Sequence, residues 1–170
     1  MEHTELKEVV NPRQVILITS RSHIIPKFKA KEEEKDNVMA ASWHMPVSYT
    51  PPMYAIAIGK EKHSLELIRK GGSFVVNFMP YSAKKEVLEA GRTSGEHINK
   101  FERIGFKTEE AETIDCFRVK DALACLECEV SQEIEAGDHI IFIGNVLKII
   151  KNKESKRIFQ IIGDQFTTTE

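Results

Sequence analysis

The chain has 170 residues, a length that suits one domain built around a sizeable core. Its 41% hydrophobic and 29% charged residues are the balance of an ordinary globule, which excludes global disorder. With 24 Lys+Arg against 26 Asp+Glu the net charge is -2, so there is no surplus of positive charge to neutralise a long phosphate backbone, and no nucleic-acid partner is expected.

Residues 1–12 are polar and acidic (Glu2, Glu5, Glu8), with neither a basic segment nor an apolar leader. They read as an N-terminal extension of a single domain over 1–170, and a cytoplasmic location is expected. No apolar run approaches the roughly 20 residues that span a bilayer, so no membrane partner is expected. Three cysteines (Cys116, Cys125, Cys128) are too few for a disulfide framework and read as thiols.

In chain order, Arg13–Ser20 is a β-branched run that predicts a strand, followed by a charged, exposed loop over Lys27–Asp36. Val38–Trp43 is an extended segment leading into His44–Pro52. Three prolines there forbid both a helix and a central sheet position and predict a rigid loop. Met53–Gly59 predicts a buried strand. Leu65, Leu67 and Ile68 then predict a short helix, capped by Ser64 and ended by Gly71-Gly72.

Ser73–Met79 predicts a core strand. Ser82–Ala90, with Ser82 as N-cap and Gly91 past the end, and Glu96–Ile104 predict two short helices. Leu126, Cys128 and Val130 alternate with Glu127 and Glu129, and a turn at Glu135–Asp138 leads into Ile140–Ile150, which predicts a hairpin. Arg157–Ile162 predicts a last strand. Six or seven strands with only short helices argue for a mainly β fold, a closed or nearly closed antiparallel barrel.

The sequence contains no G-x-G-x-x-G after a strand, no G-x-x-x-x-G-K-[ST], no H-E-x-x-H and no G-x-S-x-G, which removes dinucleotide-fold dehydrogenases, P-loop NTPases, zincins and α/β hydrolases. Cys125-Leu-Glu-Cys128 matches C-x-x-C. On a strand, however, residues three apart point to opposite faces, so neither a redox pair nor a metal site is expected.

The most informative segment runs from Asn37 to Pro52. Its small residues Ala40, Ala41 and Ser42, beside Trp43 and His44, let a flat ligand approach the backbone, although tight strand packing would use the same residues. Lys60, Lys62, His63 and Ser64 lie at a predicted helix N-terminus, which suits a phosphate; a plain cap beside solvated lysines is the bland reading.

Taken together, N-V-M-A-A-S-W-x-x-P-V-S-x-x-P-P-M, I-A-I-G, K-E-K-H-S, F-V-V-N, S-G-E-H-I-N-K-F, A-x-x-E-C-E-V and G-D-H-x-x-x-x-G-x-V resemble, in this order, the flavin reductase-like family. These are FMN-binding split barrels that include archaeal ferric reductases and flavoredoxins. The resemblance covers about Arg13 to Ile150 and implies an antiparallel split β-barrel, a homodimer and noncovalently bound FMN.

Carried onto this chain, the resemblance implies isoalloxazine and ribityl contacts at Asn37 and Ala40–His44, and phosphate contacts at Lys60, Lys62 and Ser64, with His63 of the same cluster facing either the phosphate or solvent. Asn77 falls in the F-V-V-N motif, and Ser94, Gly95, Lys100 and Phe101 in an insert near the flavin. Phe101 also fits a core stripe with Ile98 and Ile104, and Lys100 a solvated position. The common family form has Asp where Asn99 stands, so an Asp-dependent contact is in doubt. His97 lies in the same insert and is within reach of the flavin pocket, with a solvated helix position as the preferred reading.

His139 corresponds to a residue beside flavin and nicotinamide in similar proteins, and a satisfied barrel histidine is its alternative. The implied activity is transfer of electrons from transiently bound NADH or NADPH, through FMN, to free flavin, ferric iron or a protein acceptor. A flavoredoxin-type carrier, reduced by a protein partner, is the alternative.

Overall fold

The structure is a computed structural model that describes residues 3–24, 33–96 and 98–169. It begins with α1 (His3–Val10), β1 (Arg13–Gln14), β2 (Ile16–Ile24), β3 (Glu33–Ala41), β4 (His44–Tyr49) and β5 (Pro52–Gly59). The middle of the chain forms α2 (His63–Gly71), β6 (Ser73–Phe78), α3 (Lys84–Arg92), α4 (Lys100–Ile104), β7 (Thr108–Glu110) and β8 (Phe117–Val119). The long hairpin β9 (Ala124–Ala136) and β10 (His139–Lys151) follows, then β11 (Phe159–Ile162) and β12 (Gln165–Thr167). Among the described residues no helix is long and apolar enough to cross a membrane.

Seven strands form one antiparallel sheet in the order β3-β2-β6-β9-β10-β5-β4. Its edges are β3 and β4, yet only Ser42 and Trp43 separate them in the chain. Three Cα steps reach at most about 11 Å, so the sheet has to roll until its two edges adjoin. Trp43 O accepts a hydrogen bond from Ala57 N of β5 at 2.9 Å, on the far side of that seam. The result is a mainly β, antiparallel split barrel with a few short helices, as the sequence predicts.

Both faces of the sheet are covered. Ile16, Ile18, Ile56, Ile58, Phe74 and Phe142 fill the interior, while Leu17, Val75, Val87, Phe117, Cys125 and Ile158 pack on the outer face beneath α3 and β8. Cys125 and Cys128 therefore belong to different cores, and burial pushes each thiol up to about 12. No group of three or more His, Cys, Asp or Glu able to hold a metal occurs among the described residues.

Several boundaries differ from expectation for identifiable reasons. β3 already begins at Glu33, because this charged stretch pairs with β2 and Asp36 takes the Arg21 guanidinium at 2.7 Å; the rest of the expected loop, 27–32, lies outside the described residues. His44–Tyr49 is an edge strand rather than a loop, with Pro46 beside a bulge where a missing N–H removes no interior ladder bond.

Lys62, not Ser64, is the N-cap of α2, and Ser64 lies in its first turn. α3 starts later than expected and runs through Gly91, which faces β3 at a distance where a Cβ would just touch Ala40 Cβ, 3.4 Å away. The expected helix over Glu96–Ile104 is reduced to α4. Its cap is Asn99, whose Oδ1 accepts from the N–H of Phe101 and Glu102 at 3.1 and 3.4 Å. Asn and Asp cap equally well, so Asn99 fills a position that an Asp would also suit.

Glu127 is fully buried, because residues 112–118 cover its face. Its carboxylate accepts from Glu112 N at 3.0 Å, Thr113 N at 2.8 Å and Thr113 Oγ1 at 2.6 Å, and lies 3.3 Å from Arg118. Glu127→Ala is expected to destabilise the fold by about 3 kcal/mol or more, since it orphans several buried donors. Gly144→Ala should cost about 1–3 kcal/mol, because its Cβ would sit 2.9 Å from both Cys128 Cβ and Phe74 Cζ. Urea unfolding of the two variants checks both values.

Candidate functional site

A groove opens where β3 ends. Its larger lobe, about 570 Å³, lies between Ala40–Trp43, the start of β10, α3, α1 and the β11–β12 hairpin. A smaller lobe of about 220 Å³ is bounded by the start of α2, the end of α3, Thr93–Gly95 and Lys100. Met39, Ala40, Glu61, Lys62, Gly91 and Arg92 border both, so the two lobes adjoin.

In the larger lobe Ala40, Ala41 and Ser42 supply a wall of small side chains, and Ser42 O is held by Arg13 Nε at 2.8 Å. The Trp43 ring stacks on His139, with centroids 4.6 Å apart and planes 26° from parallel. His139 Nδ1 is 2.7 Å from Asp138 Oδ1. Ile140 and Phe142 fill the barrel, which turns His139 to the outer face; it is not a barrel-interior histidine.

The smaller lobe is cationic. α2 begins there at His63, and the first N–H groups of a helix have no partner within it. Ser64 Oγ accepts from Asn37 Nδ2 at 2.7 Å. Asn37 is only 2% exposed, yet among the described residues its Oδ1 has no hydrogen-bond partner. Gly95 packs on this amide so closely that a Cβ would come within 2.0 Å of Asn37 Oδ1.

His63 Nε2 is likewise buried without a partner, and burial lowers its pKa below the usual 6.5. Lys100, for which a solvated position was the alternative to the insert near the flavin, is 4% exposed and donates from Nζ to Val38 O and Ala90 O, both at 2.8 Å. Burial, and then the charge of Lys62, push its pKa down to about 8. Lys62 itself is half-exposed, 3.3 Å from Glu61.

The structure thus brings Asn37, Ala40, Ala41, Ser42, Trp43, Lys62, His63, Ser64, Ser94, Gly95, Lys100 and His139 to one groove. Four other candidates lie elsewhere. His44 turns away, hydrogen-bonded to Tyr54 OH at 2.7 Å and Gln14 O at 2.9 Å, and burial lowers its pKa. Lys60 points outward and pairs with Glu135.

Asn77 is enclosed in the core: Nδ2 donates to Leu17 O and Thr19 Oγ1, both at 3.2 Å, and Oδ1 accepts from Val119 N at 2.8 Å. Phe101 packs edge-on against Phe117 at 4.8 Å. His97 lies outside the described residues. Sequence reasoning passed over Arg92, Glu61, α1 and the β11–β12 hairpin, all of which line the groove. Arg92 resembles the basic residue that commonly ends a helix, which hid it.

The sequence model of the flavin reductase like domain family matches residues 10–166. An uncharacterized protein of Archaeoglobus fulgidus is 37% identical over 116 residues, spanning 68% of this chain and 66% of its own length. Among solved structures, a flavoredoxin from Methanosarcina acetivorans superposes with a TM-score of 0.80 at 24% identity, over 95% of this chain and 87% of its own. An NADH:FAD oxidoreductase from Streptomyces globisporus gives a TM-score of 0.82 at 20% identity, over 99% of this chain and 94% of its own. The two structures share the fold; the sequence match over 10–166 carries the kinship, and the chain belongs to the flavin reductase-like family.

Proposed function

We propose that this groove binds FMN noncovalently and that the protein is an NAD(P)H-dependent flavin or ferric reductase. The observation that carries the reading is the junction of a flat, small-residue lobe with a cationic lobe holding an orphaned buried amide. The flavin ring suits the wall of Ala40–Ser42 beside Trp43, and the 5′-phosphate suits Lys62, His63, Ser64, Lys100 and the start of α2. Asn37 fits as well: with its amide turned over, the NH2 would face the lobe while its oxygen accepts from Ser64.

Bound FMN supplies the redox chemistry, taking up a hydride and releasing electrons to an acceptor. The chain's part is to position and to shield. Asp138 fixes Nδ1 of His139 and Trp43 fixes the ring plane, so the other ring nitrogen can hold a carboxamide or a flavin edge at the larger lobe. The acceptor is a small molecule or a protein, and a cytoplasmic setting suits the three free thiols.

A homodimer is part of this proposal. Ile134 pairs with Ile141, and Met45 with Ala55, on an outer face that adjoins Trp43 and His139; Ile134 and Met45 are 44% and 56% exposed. A second copy would cover this face. Light scattering should give a particle well above the 19.4 kDa of one chain, and a 19.4 kDa particle with FMN bound would contradict it.

FMN should bind more tightly than riboflavin, and Lys62→Ala with Ser64→Ala should narrow that preference by about 2 kcal/mol, roughly thirtyfold. The pH dependence has a definite sign. A phosphate favours the protonated forms of His63 and Lys100, so binding takes up protons, and FMN affinity should fall as pH rises through about 8. Ligand-free stability carries the opposite contribution. The penalty for charged, buried Lys100 is full below about 8 and is relieved towards 10.5. Fluorescence titrations of FMN and riboflavin between pH 6 and 9, run as order-of-magnitude comparisons, check the first trend.

His139→Ala should retain FMN and slow flavin reduction by NADH or NADPH about tenfold, the equivalent of roughly 1.4 kcal/mol. Anaerobic stopped-flow bleaching tests this. Wild-type protein that holds FMN but is inert to both nucleotides would favour a flavoredoxin-type carrier, and loss of FMN from the variant would make His139 a structural residue.

A further inference from the structure

Arg92, the last residue of α3, stands where the two lobes meet and borders both. Its guanidinium Nη2 is paired with Asp164 Oδ2, which borders only the larger lobe. Asp164 sits in the turn between β11 and β12, following Gly163 at φ +51°. This hairpin forms a small three-stranded sheet with β1, and Asn11 Nδ2 just after α1 donates to Ile161 O at 2.7 Å. Arg92 and Asp164 thus tie that sheet to α3 across the groove.

Both side chains of the pair are more than half exposed, at 59% and 54%, and an ion pair so open to water contributes little stability. A phosphate ester offers the same guanidinium two oxygens at once and more negative charge than one carboxylate. Of the other cations of the groove, Lys62 and Lys100 border the smaller lobe beside the start of α2, whereas the larger lobe has Lys62 and Lys7 together with the carboxylates of Asp138 and Asp164.

We propose that Arg92 is a phosphate-binding residue of the groove and that Asp164 occupies its guanidinium until the ligand's phosphate displaces it. The inference rests on the reading above that a phosphate-bearing ligand fills the groove. That phosphate belongs either to the flavin, in the smaller lobe, or to a pyridine nucleotide, whose pyrophosphate would enter by the larger lobe. The cations beside Arg92 favour the flavin.

The test titrates the full chain with FMN, riboflavin and ADP-ribose, for wild type, Arg92→Gln, Asp164→Asn and the double variant, with thermal melting to confirm that each folds. Arg92→Gln should weaken FMN tenfold or more, and Asp164→Asn should tighten it about threefold; riboflavin should respond to neither. In the double variant the gain from Asp164→Asn should vanish, because Asp164 acts only through Arg92. The same pattern with ADP-ribose in place of FMN would assign Arg92 to the nucleotide's phosphates instead.

Unchanged FMN and ADP-ribose binding, tighter binding that survives without Arg92, or equal effects on riboflavin would overturn the proposal. If wild type prefers FMN to riboflavin while Arg92→Gln changes nothing, only this inference fails. If wild type shows no such preference, the reading beneath it fails as well.

Discussion

Two residues, Ser42 and Trp43, carry the chain from one edge of a seven-stranded sheet to the other. A connection that short cannot cross an open sheet, so it forces the roll that makes the barrel and leaves the seam where the groove lies. The same passage sets Trp43 against β5, through the hydrogen bond from Ala57 N, and against His139 at the start of β10. Small side chains at Ala40, Ala41 and Ser42 then leave backbone accessible beside the seam. Fold and site follow from one constraint.

The two lobes differ in character. The larger lobe has the small and aromatic wall Ala40–Trp43 and charges of both signs, among them Lys7, Asp138 and Asp164. The smaller lobe concentrates Lys62, Lys100 and a helix N-terminus, and two of its polar atoms, Asn37 Oδ1 and His63 Nε2, have no partner among the described residues. Holding the Lys100 ammonium out of water is unfavourable in the ligand-free protein, as its lowered pKa records. An anion in this lobe would offset that cost, so the local instability and the proposed affinity are two sides of the same burial.

How much of this was legible in the sequence depends on what kind of signal each residue gives. The run from Asn37 to Trp43 was legible because small residues next to fixed prolines are unusual in a strand, and His139 because it opens a strand after a Gly-Asp turn. The opposed faces of Cys125 and Cys128 follow from strand periodicity alone. Periodicity does not say whether a face is covered, so it could not show that Glu127 is buried, nor that Lys100, which fitted a solvated position as well as the insert near the flavin, is buried too. Asn77 and His44 belong to motifs near the site, but long-range partners, Val119 N for one and Gln14 O for the other, hold them elsewhere. Arg92 and Asp164 are 72 residues apart, a distance at which sequence pattern offers no hint of contact.

Trp43 is the only tryptophan in the chain and lines the larger lobe beside His139, so its fluorescence reports directly on that lobe. Titrating the protein with FMN while following this emission tests whether the flavin ring occupies the proposed place. The account predicts saturable quenching that ends at one FMN per chain. FMN that binds by equilibrium dialysis yet leaves Trp43 emission unchanged would contradict it.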